Sequence, residues 1–288
     1  MSAPLLRRTA LALGLAAGQA WAADLPVQRV RLPREPKAEE GRRQYPTQLL
    51  ELALRAAGVR PELVLSSTPM NQARSLIDLA DPKREIDIAW TMTSVEMERQ
   101  LLPIRVPLFK GLYGWRVLLV RKGMSQAFAE VRTLAQLQRF TMVQGAQWPD
   151  TQILRHNGLK VLTTMQFGEL FSRLEEGRAH AIPRSVMEVG WELEHYSDRC
   201  ELEPALLLHY PAAMYFFVNP AQVQLAELIE TGLRRLHASG VFDEQFRRFA
   251  ESKLAALGLA RRRVIELENP LLPRTAPLAR KSWWFSPV

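Results

Sequence analysis

The stretch from residue 103 to residue 123 most constrains the fold, because it joins a proline-punctuated apolar run to a β-rich apolar run. Pro103 and Pro107 exclude a helix in the first run, and the second run is aliphatic and rich in valine. Gly111 and Gly114 lie between the two runs and permit a bend. The stretch therefore predicts one extended segment that leaves a first lobe, crosses a gap and enters a second lobe. The alternative is an ordinary strand–loop–strand inside a single domain.

Strand and helix patterns alternate on both sides of this stretch, and the alternation predicts an α/β fold. Before the stretch, the patterns predict strands at 27–32, 62–65 and 86–90 and helices at 45–57 and 71–79. After it, they predict strands at 140–143, 159–162, 179–182 and 210–218, with helices at 151–156, 167–176, 186–194, 225–236 and 242–257. We therefore expect two α/β units in succession.

The first residues are typical of a secretory signal peptide. Arg7 and Arg8 precede an apolar run at 11–17, and residues 20–22 (Ala-Trp-Ala) have the small–x–small pattern of a cleavage site. We expect a signal peptide at 1–22 and a periplasmic mature protein, with a retained signal anchor as the alternative. Cys200 is the only cysteine, so no internal disulfide can form, and we expect its thiol to be buried and inert.

Composition and motifs give no positive case for an enzyme. The net charge is +8, but the lysines and arginines are scattered and form no patch interleaved with aromatics, so we expect no nucleic-acid partner. The five histidines have no metal-ligand spacing, and no phosphate-binding loop, dinucleotide glycine pattern or nucleophile elbow occurs. The sequence predicts no cofactor, no metal and no catalytic residue.

Several landmarks follow one another in order between residues 25 and 258. They are the strand and loop at 87–94, Pro107 with the crossing strand, the loop that begins at Val143, the turn at 176–181, residues 215–220 with the amphipathic helix after them, and the closing segment at 238–246. No one landmark is specific. The ordered set resembles the family 3 periplasmic solute-binding proteins, which are receptors of polar amino-acid importers with the type 2 periplasmic-binding-protein fold.

The resemblance implies two α/β lobes joined by two crossing strands, with a ligand in the cleft and a hinge that closes on it. It implies a first lobe at 23–110 and 209–260, a second lobe at 111–208, and a C-terminal tail at 261–288 packed on the body. We expect the aromatic residues near the end of that tail to hold it in place.

Two departures from the family pattern bear on the ligand. The position that matches the family's carboxylate-binding arginine is Met97, and Arg99 would serve only after a shift of the loop. The position of the family's ammonium-binding acid falls near Arg184 and Ser185, where no carboxylate stands. A buried ammonium without such a partner is costly. We therefore expect a small polar or anionic solute rather than a free α-amino acid.

The candidate ligand-binding residues follow predicted strand ends, where ligands of open α/β sheets bind. Trp148 is the strongest of them, because a large aromatic on a loop has no evident core to fill; its alternative is a lid over the next helix. Arg184 is either a ligand anchor or one half of an interlobe salt bridge, Trp90 either stacks on the ligand or packs in the core, and Arg74 either binds an anion or is solvated. The full set is Arg74, Trp90, Thr91, Thr93, Ser94, Trp148, Asp150, Thr151, Arg184 and Ser185.

The favoured function is a monomeric solute-binding protein that passes its ligand to a membrane transporter or reports it to a membrane sensor. A second hypothesis is a protein-interaction or sensory module on the same scaffold. A third is an enzyme of the cyclohexadienyl dehydratase type, which the resembled family includes. The only local candidates for its general acid are Glu96, Glu98 and Asp150.

Overall fold

The computed structural model describes residues 25–34 and 43–287. The predicted signal peptide at 1–22 lies outside the described residues. The strands are Val27–Arg34 (β1), Arg60–Pro69 (β2), Ile88–Met92 (β3), Leu102–Ile104 (β4), Trp115–Arg121 (β5), Thr141–Gly145 (β6), Lys160–Thr164 (β7), Ala181–Ser185 (β8), Cys200–Leu202 (β9), Leu206–His209 (β10), Met214–Val218 (β11) and Arg263–Glu266 (β12). The α-helices are Gln44–Ala56 (α1), Gln72–Ala80 (α2), Val95–Gln100 (α3), Leu134–Leu137 (α4), Pro149–His156 (α5), Phe167–Glu175 (α6), Val189–His195 (α7), Val223–Ala238 (α8) and Val241–Ala255 (α9).

The first lobe (lobe 1) is built on strands from both ends of the chain. β1 pairs in parallel with β2, and β11 lies between β3 and β4 as an antiparallel partner of both. β1 lies beside β3, where the Asp87 N–H donates to the Arg31 carbonyl at 2.9 Å and the Arg31 guanidinium pairs with the Asp87 carboxylate at 2.7 Å. The strands therefore lie in the order β2, β1, β3, β11, β4.

The second lobe (lobe 2) repeats this arrangement with a later part of the chain. Its strands lie in the order β7, β6, β8, β5, β10, β12, and β9 pairs with one end of β5. In both lobes, three parallel strands of a β–α–β–α–β unit are followed by an antiparallel strand, β11 or β5, at the same place in the order. The predicted pair of α/β units is confirmed.

Besides the C-terminal tail, two short segments connect the lobes, and they run side by side. The first crossing (108–114) leads from β4 to β5, and the second crossing (209–213) leads from β10 to β11. The Tyr210 N–H donates to the Gly114 carbonyl at 3.1 Å. A Cβ atom on Gly114 would lie 1.9 Å from the Tyr210 carbonyl oxygen, so the close approach requires glycine. The first crossing is less extended than the sequence predicts, because Lys110 and Gly111 have positive φ angles and a 3-10 turn follows at Leu112–Gly114.

The C-terminal tail (261–288), described to residue 287, joins both lobes. Its first part is β12, which pairs in parallel with β10 and so belongs to the sheet of lobe 2. It then returns to lobe 1, where the Val95 N–H donates to the Leu271 carbonyl at 3.0 Å. Near its end, Trp284 packs on Gly111 of the first crossing, and the Phe285 N–H donates to the Lys110 carbonyl at 2.7 Å. The tail therefore spans the hinge region rather than packing on one lobe alone.

Helix packing in lobe 1 depends on one close contact. The amphipathic helix α8 crosses α1 where Gly232 meets the backbone of Ala53, and a Cβ atom on Gly232 would lie 1.8 Å from the Ala53 carbonyl oxygen. This contact lets the buried leucines of the two helices form one core with β1 and β4. Within the described residues, no helix combines the length and the apolar character that a membrane span needs.

Candidate functional site

Strand pairing places the carboxyl ends of the parallel strands of both lobes next to the crossings. In lobe 2, Ser185 at the end of β8 lies opposite Arg116 at the start of β5, and β6 and β7 run parallel to β8. In lobe 1, Met92 at the end of β3 lies opposite Met214 at the start of β11. The carboxyl-end edges of both lobes therefore lie beside the crossings, and we call this region the cleft.

Trp148 lies at the lobe 2 edge of the cleft, at the N-cap of α5. Its indole covers Gly145 so closely that a Cβ atom on Gly145 would lie 2.5 Å from the ring. The centre of the Arg184 guanidinium lies 4.6 Å from the centroid of the Trp148 ring, a cation–π distance. Phe167 at the start of α6 packs near both groups. Trp148 is half-buried, so part of the indole reaches solvent at this edge.

Asp150, in the first turn of α5, belongs to a buried ion network. The Arg116 guanidinium pairs with the Asp150 carboxylate at 2.5 Å and donates from Nε to the Tyr210 hydroxyl at 2.9 Å. The Tyr210 hydroxyl in turn donates to Asp150. Burial by itself lowers the pKa of Arg116, but the attraction of Asp150, Tyr210 and Glu188 outweighs burial and raises that pKa. The network fixes α5 to β5 and to the second crossing.

Arg184 belongs to the same network from the side of β8. Its Nε and Nη2 atoms lie 2.6 Å and 2.5 Å from Glu192 Oε1, and Nη2 lies 3.3 Å from Glu188 Oε2. Burial lowers the pKa of Arg184, but Glu188 and Glu192 outweigh burial and raise it. Burial also raises the pKa of Glu192, against the opposing effect of Arg184. Both acids belong to α7 or its N-cap in lobe 2, so the predicted alternative of an interlobe salt bridge is wrong.

The two predicted hydroxyl residues of lobe 2 are engaged locally. The Thr151 hydroxyl donates to the Gly145 carbonyl at 2.8 Å, and the Ser185 hydroxyl accepts from the Met187 N–H at 3.2 Å. Both side chains are fully buried. They shape the turns after β6 and β8, and their role toward a ligand stays a prediction.

At the lobe 1 edge, the predicted residues in and after β3 mostly contact other residues of lobe 1. The Thr93 hydroxyl donates to Glu98 at 2.8 Å, and the Ser94 hydroxyl accepts from the Met97 N–H as the N-cap of α3. Thr91 is buried within β3. Trp90 is half-buried, and its ring meets Phe216 edge to face with the centroids 6.4 Å apart. A ligand-binding role for these four residues also stays a prediction.

The lobe 1 arginines near the cleft are exposed. Arg74 lies in the first turn of α2. Its backbone N–H donates to Oδ1 of the N-cap residue Asn71 at 2.9 Å, and its side chain is exposed. Arg99 is exposed and pairs with Glu96 at 3.4 Å within α3. Met97 packs into the lobe 1 core. The structure therefore places no buried arginine at the position where the resembled family clamps a carboxylate.

Four members of the lobe 2 network were missed in the sequence: Arg116, Glu188, Glu192 and Tyr210. A signal was available for two of them, because Glu188 and Glu192 are four residues apart in the helix predicted at 186–194 and so share one face of it. Arg116 carried a weaker signal, a lone charge at the start of an otherwise apolar strand. Among the described residues, no three acidic, cysteine or histidine side chains lie together as metal ligands.

No protein-family model and no curated protein matches the chain. Solved structures are similar to it. An ancestral arginine-binding protein bound to arginine is 16% identical, with a TM-score of 0.51 over 78% of this chain and 98% of that one. The VFT2 domain of Bordetella pertussis BvgS, a double mutant, is 18% identical, with a TM-score of 0.54 over 81% and 97%. A putative binding component of an ABC transporter from Wolinella succinogenes, complexed with lysine, is 15% identical, with a TM-score of 0.51 over 80% and 98%.

These similarities cover nearly the whole of each solved chain. The protein has the two-lobe fold of the type 2 periplasmic binding proteins. The predicted fold class is confirmed. At these identities the likeness establishes the fold, and the ligand has to be argued from the side chains of this chain.

Proposed function

We propose that this protein is a periplasmic solute-binding protein that captures a small polar solute in the cleft and presents it to a membrane transporter or sensor. The lobe boundaries would fall at the two crossings, with residues 23–110 and 209–260 in lobe 1 and 111–208 in lobe 2. The solved structures that resemble this chain include two named as binding proteins or components and one domain of BvgS, and this supports binding rather than catalysis.

The observation that carries the proposal is the contrast between the cleft edge of lobe 2 and an ordinary protein surface. Arg116, Asp150 and Arg184 are buried there, and the Arg184 guanidinium packs on the half-exposed Trp148. Buried charges are costly to desolvate and usually serve recognition or specificity. An aromatic lid over fixed polar groups is the ordinary composition of a small-molecule site.

A ligand screen tests the proposal directly. The mature protein is mixed with a metabolite library that includes anionic, neutral polar and peptide compounds, and thermal unfolding is followed for each mixture. A true ligand at 100 times its Kd stabilises the folded state by about 2.7 kcal/mol. The variant Trp148→Ala should lose the shift, while Trp191→Ala, another partly exposed lobe 2 tryptophan, serves as the matched control. The absence of any stabilising compound from all three classes would count against solute capture.

The tail favours one second candidate, an interaction module on the same scaffold. The tail pairs with β10 of lobe 2, contacts Val95 of lobe 1 and covers Gly111 of the first crossing, so it opposes relative motion of the lobes. A truncation after Glu268 keeps β12 and removes the part that returns to lobe 1. If the untruncated protein retains a membrane-fraction partner that the truncated one loses, and no metabolite binds either, the interaction module is the better account.

A further inference from the structure

The ion network of lobe 2 contains one carboxylate that differs from the others. Arg116 and Arg184 each have a close acidic partner, Asp150 and Glu192, at 2.5 Å. Both guanidiniums also point at a single shared oxygen, Glu188 Oε2, at the longer distances of 3.7 Å and 3.3 Å. These distances exceed those of ordinary charge-assisted hydrogen bonds. Glu188 is therefore held loosely, whereas the two arginines are held firmly.

Exposure separates Glu188 from the rest of the network in the same way. The side chains of Arg116 and Arg184 are 3% and 6% exposed, whereas that of Glu188 is 34% exposed. Glu188 is the N-cap residue of α7 and follows the end of β8, so it stands at the cleft edge. Its side chain makes no capping hydrogen bond to the helix. The carboxylate therefore has access to solvent and can leave its position without opening the core.

The charges of the network explain why a carboxylate occupies this position. Asp150 and Glu192 alone would neutralise the two guanidiniums, but Glu192 is buried and its Oε2 atom has no hydrogen-bond partner. Burial raises the pKa of Glu192, against the opposing effect of Arg184. Both guanidiniums also face an oxyanion at the position that Glu188 fills.

We propose that Glu188 is a built-in occupant of an oxyanion subsite formed by Arg116 and Arg184, and that a carboxylate or phosphate group of the solute displaces it. This inference rests on the proposed solute-binding function and names the chemical class of its ligand. Asp150, Tyr210 and Glu192 hold the two guanidiniums in place before binding, so little side-chain freedom is lost when the anion enters. One Nη atom of each guanidinium lies near the shared position, so the two arginines can donate together to one oxyanion group.

The same geometry allows an alternative in which the bound group of the solute carries a positive charge. If the partly exposed Glu188 is itself the anchor, it binds an ammonium or guanidinium of the solute, and the arginines only orient it. Glu188→Gln distinguishes the two uses, because the amide keeps the size of the side chain and removes its charge. If Glu188 is displaced by the solute, removing its charge strengthens anion binding. If Glu188 is itself the anchor, removing its charge weakens cation binding.

Isothermal titration of the mature protein with succinate, inorganic phosphate and arginine tests the inference. We expect Glu188→Gln to bind succinate or phosphate at least tenfold more tightly than the unchanged protein does, with an affinity that falls as salt rises. Binding of succinate but not phosphate, or the reverse, identifies the group. Glu194→Gln, an exposed acid on the same helix, is the matched control and should change nothing.

Two outcomes would overturn the inference. One is that Glu188→Gln binds neither anion more tightly than the unchanged protein; the other is that it loses affinity for arginine. Circular dichroism of Glu188→Gln, with Glu188→Ala as a second variant, verifies that the fold is intact. The solute-binding function itself is judged by the library screen on the unchanged protein. A ligand found there that Glu188→Gln binds more weakly would therefore reject the subsite and keep the function.

Discussion

The two edges of the cleft are built from the same strand order but use their polar side chains differently. In lobe 1, Thr93 and Ser94 close a local turn around α3, and Arg74 extends into solvent. In lobe 2, Arg116 and Asp150 meet from separate elements, β5 and α5. The lobe 1 contacts join residues that are close in sequence and need little desolvation. Those of lobe 2 require desolvated charges from distant parts of the chain. Under the proposed function, we expect lobe 2 to be the edge that selects the ligand.

The strongest test of this contrast breaks the buried pair of Arg116 and Asp150. Asp150→Asn leaves the Arg116 guanidinium buried with a neutral partner, and we expect the free energy of unfolding to fall by about 3–5 kcal/mol. Urea denaturation at pH 7 measures the change. Asp198→Asn, an exposed position in lobe 2, should change it by less than about 0.5 kcal/mol. Equal losses of unfolding free energy for the two substitutions would show that the pair of Asp150 and Arg116 stabilises the fold no more than an exposed acid does.

The corresponding acid of lobe 1 should matter less. Glu98 is nearly buried, pairs with the more exposed Arg105 at 2.6 Å and accepts from the Thr93 hydroxyl. Because Arg105 can return to water when its partner is lost, we expect Glu98→Gln to lower the free energy of unfolding by about 1–2 kcal/mol. Urea denaturation at pH 7 measures this change as well. A loss larger than that of Asp150→Asn would reverse the comparison between the lobes.

The fold was predictable because its signals are local. Pro103 and Pro107 exclude a helix, the glycines of the first crossing allow its bend, and apolar periodicity separates strands from helices. The tail was only partly predictable. Its aromatic residues indicated that it is held to the body, but the pairing of β12 with β10 depends on a register that no local pattern encodes.

The candidate site was predictable residue by residue but not as a network. Trp148, Asp150 and Arg184 were identified because they follow strand ends. Arg116 and Tyr210 were not, because they are 94 residues apart in the chain and their contact is made by tertiary structure alone. The fourfold spacing of Arg184, Glu188 and Glu192 was visible in the sequence, although it does not tell which acid is buried and which reaches solvent.

Acid should weaken lobe 1 where the tail meets it. His237 at the end of α8 stacks on Phe242 and on Trp283 of the tail, and its Nε2 atom is buried without a partner. Burial, opposed by Asp243 and helped by Lys110, lowers the pKa of His237 to about 4. Above the unfolded pKa of about 6.5 the ring is neutral in both states and changes nothing. As the pH falls from there toward 4, only the unfolded state takes up the proton, so stability is lost.

The expected loss from His237 is about 1 kcal/mol, because its part-exposed ring is screened by solvent. Urea midpoints between pH 7 and pH 4.5 measure it, and His237→Gln should remove this part of the pH dependence. His195, an exposed histidine of lobe 2, is the matched control, and His195→Gln should leave the pH dependence unchanged. An identical pH profile for the unchanged protein and His237→Gln would mean that protonation of this ring does not loosen the tail.

The smallest expected effect concerns Arg99, the one residue of lobe 1 that would restore the family's carboxylate clamp if its loop shifted. Arg99 and Glu96 are both exposed, and their atoms lie 3.4 Å apart. Pairs of this kind contribute little, so we expect Arg99→Ala to change the free energy of unfolding by less than about 0.5 kcal/mol. The sharper measurement is affinity for whichever ligand the library screen identifies. If lobe 2 alone carries the anion-binding groups, Arg99→Ala leaves that affinity unchanged. A loss of tenfold or more would instead mean that α3 moves on closure and that lobe 1 supplies a clamp of its own.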